Sequence, residues 1–154
     1  MATFSLEEKI LKVNNKNFKY IQKGKGQLVL MIHGWPENCN SWLNQISFIS
    51  KLGYKAVAIN VRGYADSYSP HSIQSYKLKF FMEDIIDVIN FFNKENAILV
   101  GHDWGAPICW TTAAYYKEKI TAVIGLSVPF TRRGKISSTK LWQKLYKNIF
   151  FYQN

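Results

Sequence analysis

A chain of 154 residues and 17.9 kDa fits one domain, and 47% hydrophobic against 19% charged residues excludes a disordered chain. The net charge of +10 reads as a solvated basic surface and not as a nucleic-acid site: only Arg62, Arg132 and Arg133 among the 20 basic residues are arginine, and the lysines are spread along the chain. No apolar run approaches the ~18 residues of a membrane span, and Cys39 and Cys109 are too few for a disulfide framework.

Ile10 to Val13, Phe18 to Ile21 and Leu28 to Ile32 read as three strands, with Lys23-Gly24-Lys25-Gly26 as a turn before the third. Trp42 to Leu52 reads as a helix, with Asn40 or Ser41 as its cap and Gly53 just past its end. Lys55 to Val61 is an apolar strand. Ser75 to Asn93 is the longest helix, because Leu78, Phe81, Ile85, Val88, Ile89 and Phe92 fall on one face at helical spacing. Ala97 to Val100 reads as a short buried strand, Ala106 to Glu118 as a helix, and Ile120 to Ser127 as another buried strand.

Strands alternating with helices of this length argue for a mostly parallel sheet with helices on both faces. Ligands in such sheets sit beyond the carboxyl ends of the strands. That rule singles out His33 to Ser41, Arg62 to Pro70, Gly101 to Gly105 and the segment from Val128 onward.

Gly101-His102-Asp103-Trp104-Gly105 follows a predicted strand and opens a predicted helix. This is a nucleophile-elbow pattern with Asp at the apex. Glycine two residues before and after relieves the crowding of so sharp a turn. A carboxylate there can attack a saturated carbon and form an ester, which water then cleaves at its carbonyl. Backbone N–H groups near the helix start can hold the oxyanion of that second step. The alternative for Asp103 is a simple helix cap.

Four segments together carry a family resemblance. His33-Gly34-Trp35-Pro36-Glu37 resembles the His-Gly-x-Pro loop of α/β-hydrolase-fold epoxide hydrolases. Arg62-Gly63-Tyr64-Ala65-Asp66-Ser67 resembles their Arg-Gly-Tyr-Gly-x-Ser segment, with Ala65 for the expected Gly. Gly101 to Pro107 resembles their nucleophile motif, and Ser127-Val128-Pro129-Phe130 the exit from the next strand. Asn60 stands where that family often has Asp. Order and spacing fit from about residue 10 to 133.

The resemblance implies that Asp103 is the nucleophile and that the N–H groups of Trp35 and Trp104 form the oxyanion hole. It implies that His33 and Gly34 position the loop and that Pro36 fixes its turn, through a cis bond if the x-Pro peptide adopts one. Residues 1–130 then form the N-terminal part of the hydrolase core, and residues 131–154 begin a helical cap. Tyr152, in the pair Tyr152-Gln153, would donate to the epoxide oxygen; the other reading is an ordinary tyrosine near a chain end. The implied substrate is a small hydrophobic epoxide. A haloalkane-dehalogenase-like hydrolase acting on an alkyl halide, and a hydrolase-fold binding protein without turnover, are the alternatives.

In this fold the triad acid and histidine follow the nucleophile. No histidine follows Asp103; the three are His33, His71 and His102. The expectation is an incomplete, inactive chain whose His102 points away from Asp103 and whose His71 is exposed. No metal or organic cofactor is expected. The start, Met1-Ala2-Thr3-Phe4-Ser5, has no basic region ahead of an apolar stretch, so the expected compartment is cytoplasmic.

Overall fold

A computed structural model describes residues 6–130 of the chain. The first strand, β1 (Glu8–Val13), turns back into β2 (Lys16–Lys23) through Asn14 and Asn15, both at positive φ (49° and 58°). Asparagine tolerates that left-handed pair, and the two-residue turn fixes the antiparallel register of Val13 on Lys16 and Leu11 on Phe18. The remaining strands are β3 (Leu28–Ile32), β4 (Lys55–Ile59), β5 (Ala97–His102) and β6 (Ile120–Leu126).

The six strands form one sheet in the order β1-β2-β4-β3-β5-β6. β1, β2 and β4 pair antiparallel, whereas β4, β3, β5 and β6 run parallel. Three helices cover it: α1 (Leu43–Lys51), α2 (Leu78–Phe91) and α3 (Gly105–Tyr115). Side chains of β3 alternate between two buried layers. Leu28, Leu30 and Ile32 share a cluster with Ile85, Val88 and Ile89 of α2 and Ile108 of α3. Val29 and Met31 share the other with Trp42 and with Ile46 of α1. Full burial of each such aliphatic side chain contributes about 1.5–3 kcal/mol.

Several sequence expectations are corrected. The segment before α1 is a 3-10 turn, Cys39–Trp42, capped by the Asn38 side chain, which accepts from Asn40 N–H; neither Asn40 nor Ser41 caps α1 itself. The long helix starts at Leu78, after a separate 3-10 turn at Ile73–Tyr76. Leu78 leaves the core face and is exposed. The helix after the elbow ends at Tyr115, and a short 3-10 turn, Lys117–Lys119, leads into β6.

β6 is not a buried strand. It lies at the sheet edge, with Ile124 51% and Leu126 44% exposed, because nothing among the described residues packs on its outer side. No helix of the described residues is long and apolar enough to cross a membrane.

Candidate active site

β5 delivers Gly101, His102 and Asp103 to the carboxyl end of the sheet, and α3 begins two residues later. Asp103 takes φ +48°, a left-handed conformation that costs a non-glycine residue roughly 1–2 kcal/mol. The turn is held by Asp103 N–H donating to Leu126 C=O (3.2 Å) and by Ala106 N–H donating to Asp103 C=O (3.1 Å). The flanking glycines are needed for contact. A Cβ on Gly101 would strike the Gly105 carbonyl, and one on Gly105 would strike the Ile32 carbonyl.

The Asp103 side chain does not cap α3, which has no side-chain cap. Its Oδ1 accepts a hydrogen bond from Trp35 N–H at 3.0 Å. The loop after β3 therefore meets the elbow through one backbone donor. Gly34 makes this approach possible: a Cβ there would stand 2.7 Å from Asp103 Oδ1 and 3.0 Å from its Cγ. The Trp35–Pro36 peptide is cis, and Glu37 N–H closes the turn onto Gly34 C=O (3.1 Å).

His33 is 1% exposed and is locked at both ring nitrogens. Nε2 accepts from Val61 N–H (3.2 Å), which leaves Nδ1 to donate to Gly34 C=O (2.8 Å). Burial pushes its pKa down, partly opposed by the Gly34 carbonyl and the Glu37 charge. A neutral ring so held orients the loop and is not free to act as a base. His102 turns to Glu37, with Nδ1 to Oε2 at 2.9 Å, and His71 is exposed. Neither hydrogen-bonds Asp103.

Beside the elbow lies a cavity of about 560 Å³, lined by Gly34, Trp35 and Trp104 on the Asp103 side and by Tyr64, Tyr76, Leu78, Phe81 and Ile108 elsewhere. Its walls are aromatic and aliphatic, as small-molecule sites usually are. One cation, Arg62, also lines it, but its guanidinium is committed elsewhere. Nε and Nη2 fork onto Asp84 (2.6 and 2.7 Å), Nη1 donates to Ser75 C=O (2.6 Å) and Nη2 to Phe80 C=O (2.9 Å).

Asp103, Trp35, Trp104, His33, Gly34 and Pro36, singled out in the sequence, are thus brought together at one end of β3 and β5. Tyr152 lies outside the described residues. The Arg62–Asp84 fork, the Glu37–His102 pair and the place of Tyr76 in the wall are not read from the sequence. One signal for the fork was present: Asp84 sits three residues after Phe81 and four before Val88, inside an otherwise apolar stripe.

A profile of the alpha/beta hydrolase fold matches residues 27–153. The chain belongs to the alpha/beta hydrolase fold family. Proteins it is similar to include epoxide hydrolases. Epoxide hydrolase B of Mycobacterium tuberculosis is 41% identical over 112 residues, which are 73% of this chain and 32% of that protein. An epoxide hydrolase of Caballeronia sordidicola is 35% identical over 150 residues, 97% of this chain and 46% of that one. The crystal structure of epoxide hydrolase VrEH1 from Vigna radiata superposes with a TM-score of 0.83 at 37% identity, covering 95% of this chain and 48% of that one. This alpha/beta hydrolase chain therefore spans about a third to a half of the length of these three proteins.

Proposed function

We propose that this chain carries the alkylating half of an epoxide hydrolase. The Asp103 Oδ2 attacks an epoxide carbon, a C–O ester bond forms, and the ring C–O bond breaks. The ring oxygen leaves as an alkoxide and takes a proton from a donor in the segment after residue 130, the role assigned to Tyr152 by the resemblance. The observation that carries the reading is the 3.0 Å hydrogen bond from Trp35 N–H to Asp103 Oδ1. It fixes one carboxylate oxygen and leaves the other to react. In the ester the fixed oxygen is the carbonyl oxygen, so the same donor, with Trp104 N–H, stabilises the oxyanion formed when water attacks, at about 3 kcal/mol per donor.

The Arg62 charge, already paired with Asp84, and the mostly apolar lining favour an uncharged substrate over a carboxylate-bearing one. Among the described residues no histidine hydrogen-bonds Asp103, so the ester formed on it is expected to persist long enough to be detected. Incubation with styrene oxide, followed by intact-mass and peptide mass spectrometry, tests the reading. The expected result is one adduct per chain on Asp103, absent from Asp103→Asn. An unmodified chain, or an adduct elsewhere, rejects it in favour of a binding protein.

A further inference from the structure

Tyr76 is held in the cavity wall by contacts on two sides. Its backbone ends the 3-10 turn Ile73–Tyr76, and Arg62 Nη1 grips the preceding carbonyl, that of Ser75, at 2.6 Å. Arg62 cannot swing away, because Asp84 takes Nε and Nη2 and the whole side chain is buried. The ring of Tyr76 rests on Gly63. A Cβ on Gly63 would stand 2.7 Å from Tyr76 Cε1 and 3.5 Å from its Cζ and hydroxyl oxygen. Gly63 itself has φ +85°, so the seat is a backbone conformation that glycine alone takes readily.

The neighbours of Tyr76 in the wall differ in kind. Leu78 and Phe81 belong to the start of α2, and Tyr64 follows the seat directly. Tyr76 stands 36% exposed at the point where the loop after β4 meets α2. A large ring held at its base is a fixed part of a mostly apolar wall, so its bulk subtracts from the space open to a ligand.

We infer that Tyr76 sets the size preference of this site: its ring, seated on Gly63 and anchored through Arg62, is a fixed part of the wall whose bulk limits how large an uncharged molecule fits beside it. The substrate identity rests on the function proposed above, but the size limit is a property of the cavity and is testable without chemistry. Trp35 and Trp104 line the same cavity, so intrinsic fluorescence reports its occupancy.

The experiment compares two unreactive neutral probes, benzamide and 4-phenylbenzamide, by fluorescence titration of the full chain. The ratio of the two dissociation constants in the parent chain is the reference. Tyr76→Ala should shift the ratio of the two dissociation constants at least tenfold toward the longer probe. Tyr76→Phe should leave the ratio within twofold, and Tyr76→Trp should move it the opposite way. Opposed shifts on shrinking and enlarging one side chain do not arise from a general loss of stability, and circular dichroism checks that each variant is folded. An unmoved ratio in folded Tyr76→Ala, or equal shifts in the same direction for Ala and Trp, overturns the inference. Adduct formation by styrene oxide is scored separately, so loss of the Asp103 reaction leaves the size test intact.

Discussion

Gly34 and Asp103 touch so closely that only a hydrogen fits between them: a Cβ on residue 34 would lie 2.5 Å from Asp103 Cβ. Gly34→Ala must therefore push the carboxylate, the loop, or both. The bond from Trp35 N–H follows directly in the chain and moves with it. Misplacement of a reacting group by about 1 Å costs on the order of a hundredfold in rate. Gly34→Ala should slow ester formation on Asp103 by about that factor while circular dichroism stays near that of the parent. Labelling at the parental rate would show that the contact does not constrain the carboxylate.

The Arg62–Asp84 fork is buried at both ends, with side chains 3% and 4% exposed. Asp84 also takes Lys16 at 2.7 Å, so one carboxylate answers two cations. Burial works against the Lys16 ammonium, yet hydrogen bonds to Asp84 and Asp87 outweigh it and raise its pKa. Asp84→Ala leaves a buried guanidinium without its partner, at an expected cost of about 3–5 kcal/mol in urea unfolding. A loss below about 1 kcal/mol would mean that the fork is not a structural element of the wall.

His33 gives the fold a definite acid response. Its folded pKa lies below the ordinary 6.5, because burial favours the neutral ring. Above pH 6.5 neither the folded nor the unfolded chain binds this proton, and His33 adds no slope. As pH falls below 6.5 the unfolded chain is protonated first, so stability declines until the folded pKa is passed. Urea titrations across that range should show a smaller decline in His33→Gln. An identical decline would assign the acid sensitivity to other groups.

Both cysteines should be inert in the folded chain. Burial, helped by the charge of Glu8, pushes the Cys39 thiol up to about 11, and burial alone pushes Cys109 higher still. Thiolate is the reactive form. Iodoacetamide at pH 8 should leave both unmodified in native buffer and alkylate both in denaturant, as read by mass spectrometry. Rapid native labelling of either would contradict its packing.

The edge position of β6 separates two kinds of apolar residue. Leu99→Ala, in the fully buried middle of the sheet, should cost about 2–5 kcal/mol. Ile124→Thr on exposed β6 should cost no more than about 0.5 kcal/mol in the same assay. Equal costs would place Ile124 under cover.

The fold is largely legible because β3 and the Ala97–Val100 part of β5 are short apolar runs, and the helices between them carry a clear period. The residues around Asp103 were legible for a different reason: the elbow, the loop after β3 and the segment after β4 fall in fixed order. What escaped was tertiary. The exposure of β6 is not legible in its composition, because an edge strand of a parallel sheet can be as apolar as a central one. The start of α2 at Leu78 and not Ser75 is not legible either, because a 3-10 turn at Ile73–Tyr76 and an extended Lys77 precede it. Arg62 gave no hint of its partner, since Asp84 lies 22 residues away and only the folded crossover brings them together.

Trp110 ties α3 to the chain beyond β6. Its indole N–H donates to Val128 C=O at 3.1 Å, its ring lies over Gly125, and its edge meets Phe130 at 5.7 Å between centroids. The helix that starts at the Asp103 bend thus also holds the chain where it leaves β6, as far as Phe130. A tilt of that helix would therefore move the bend at its start and the Val128–Phe130 exit together.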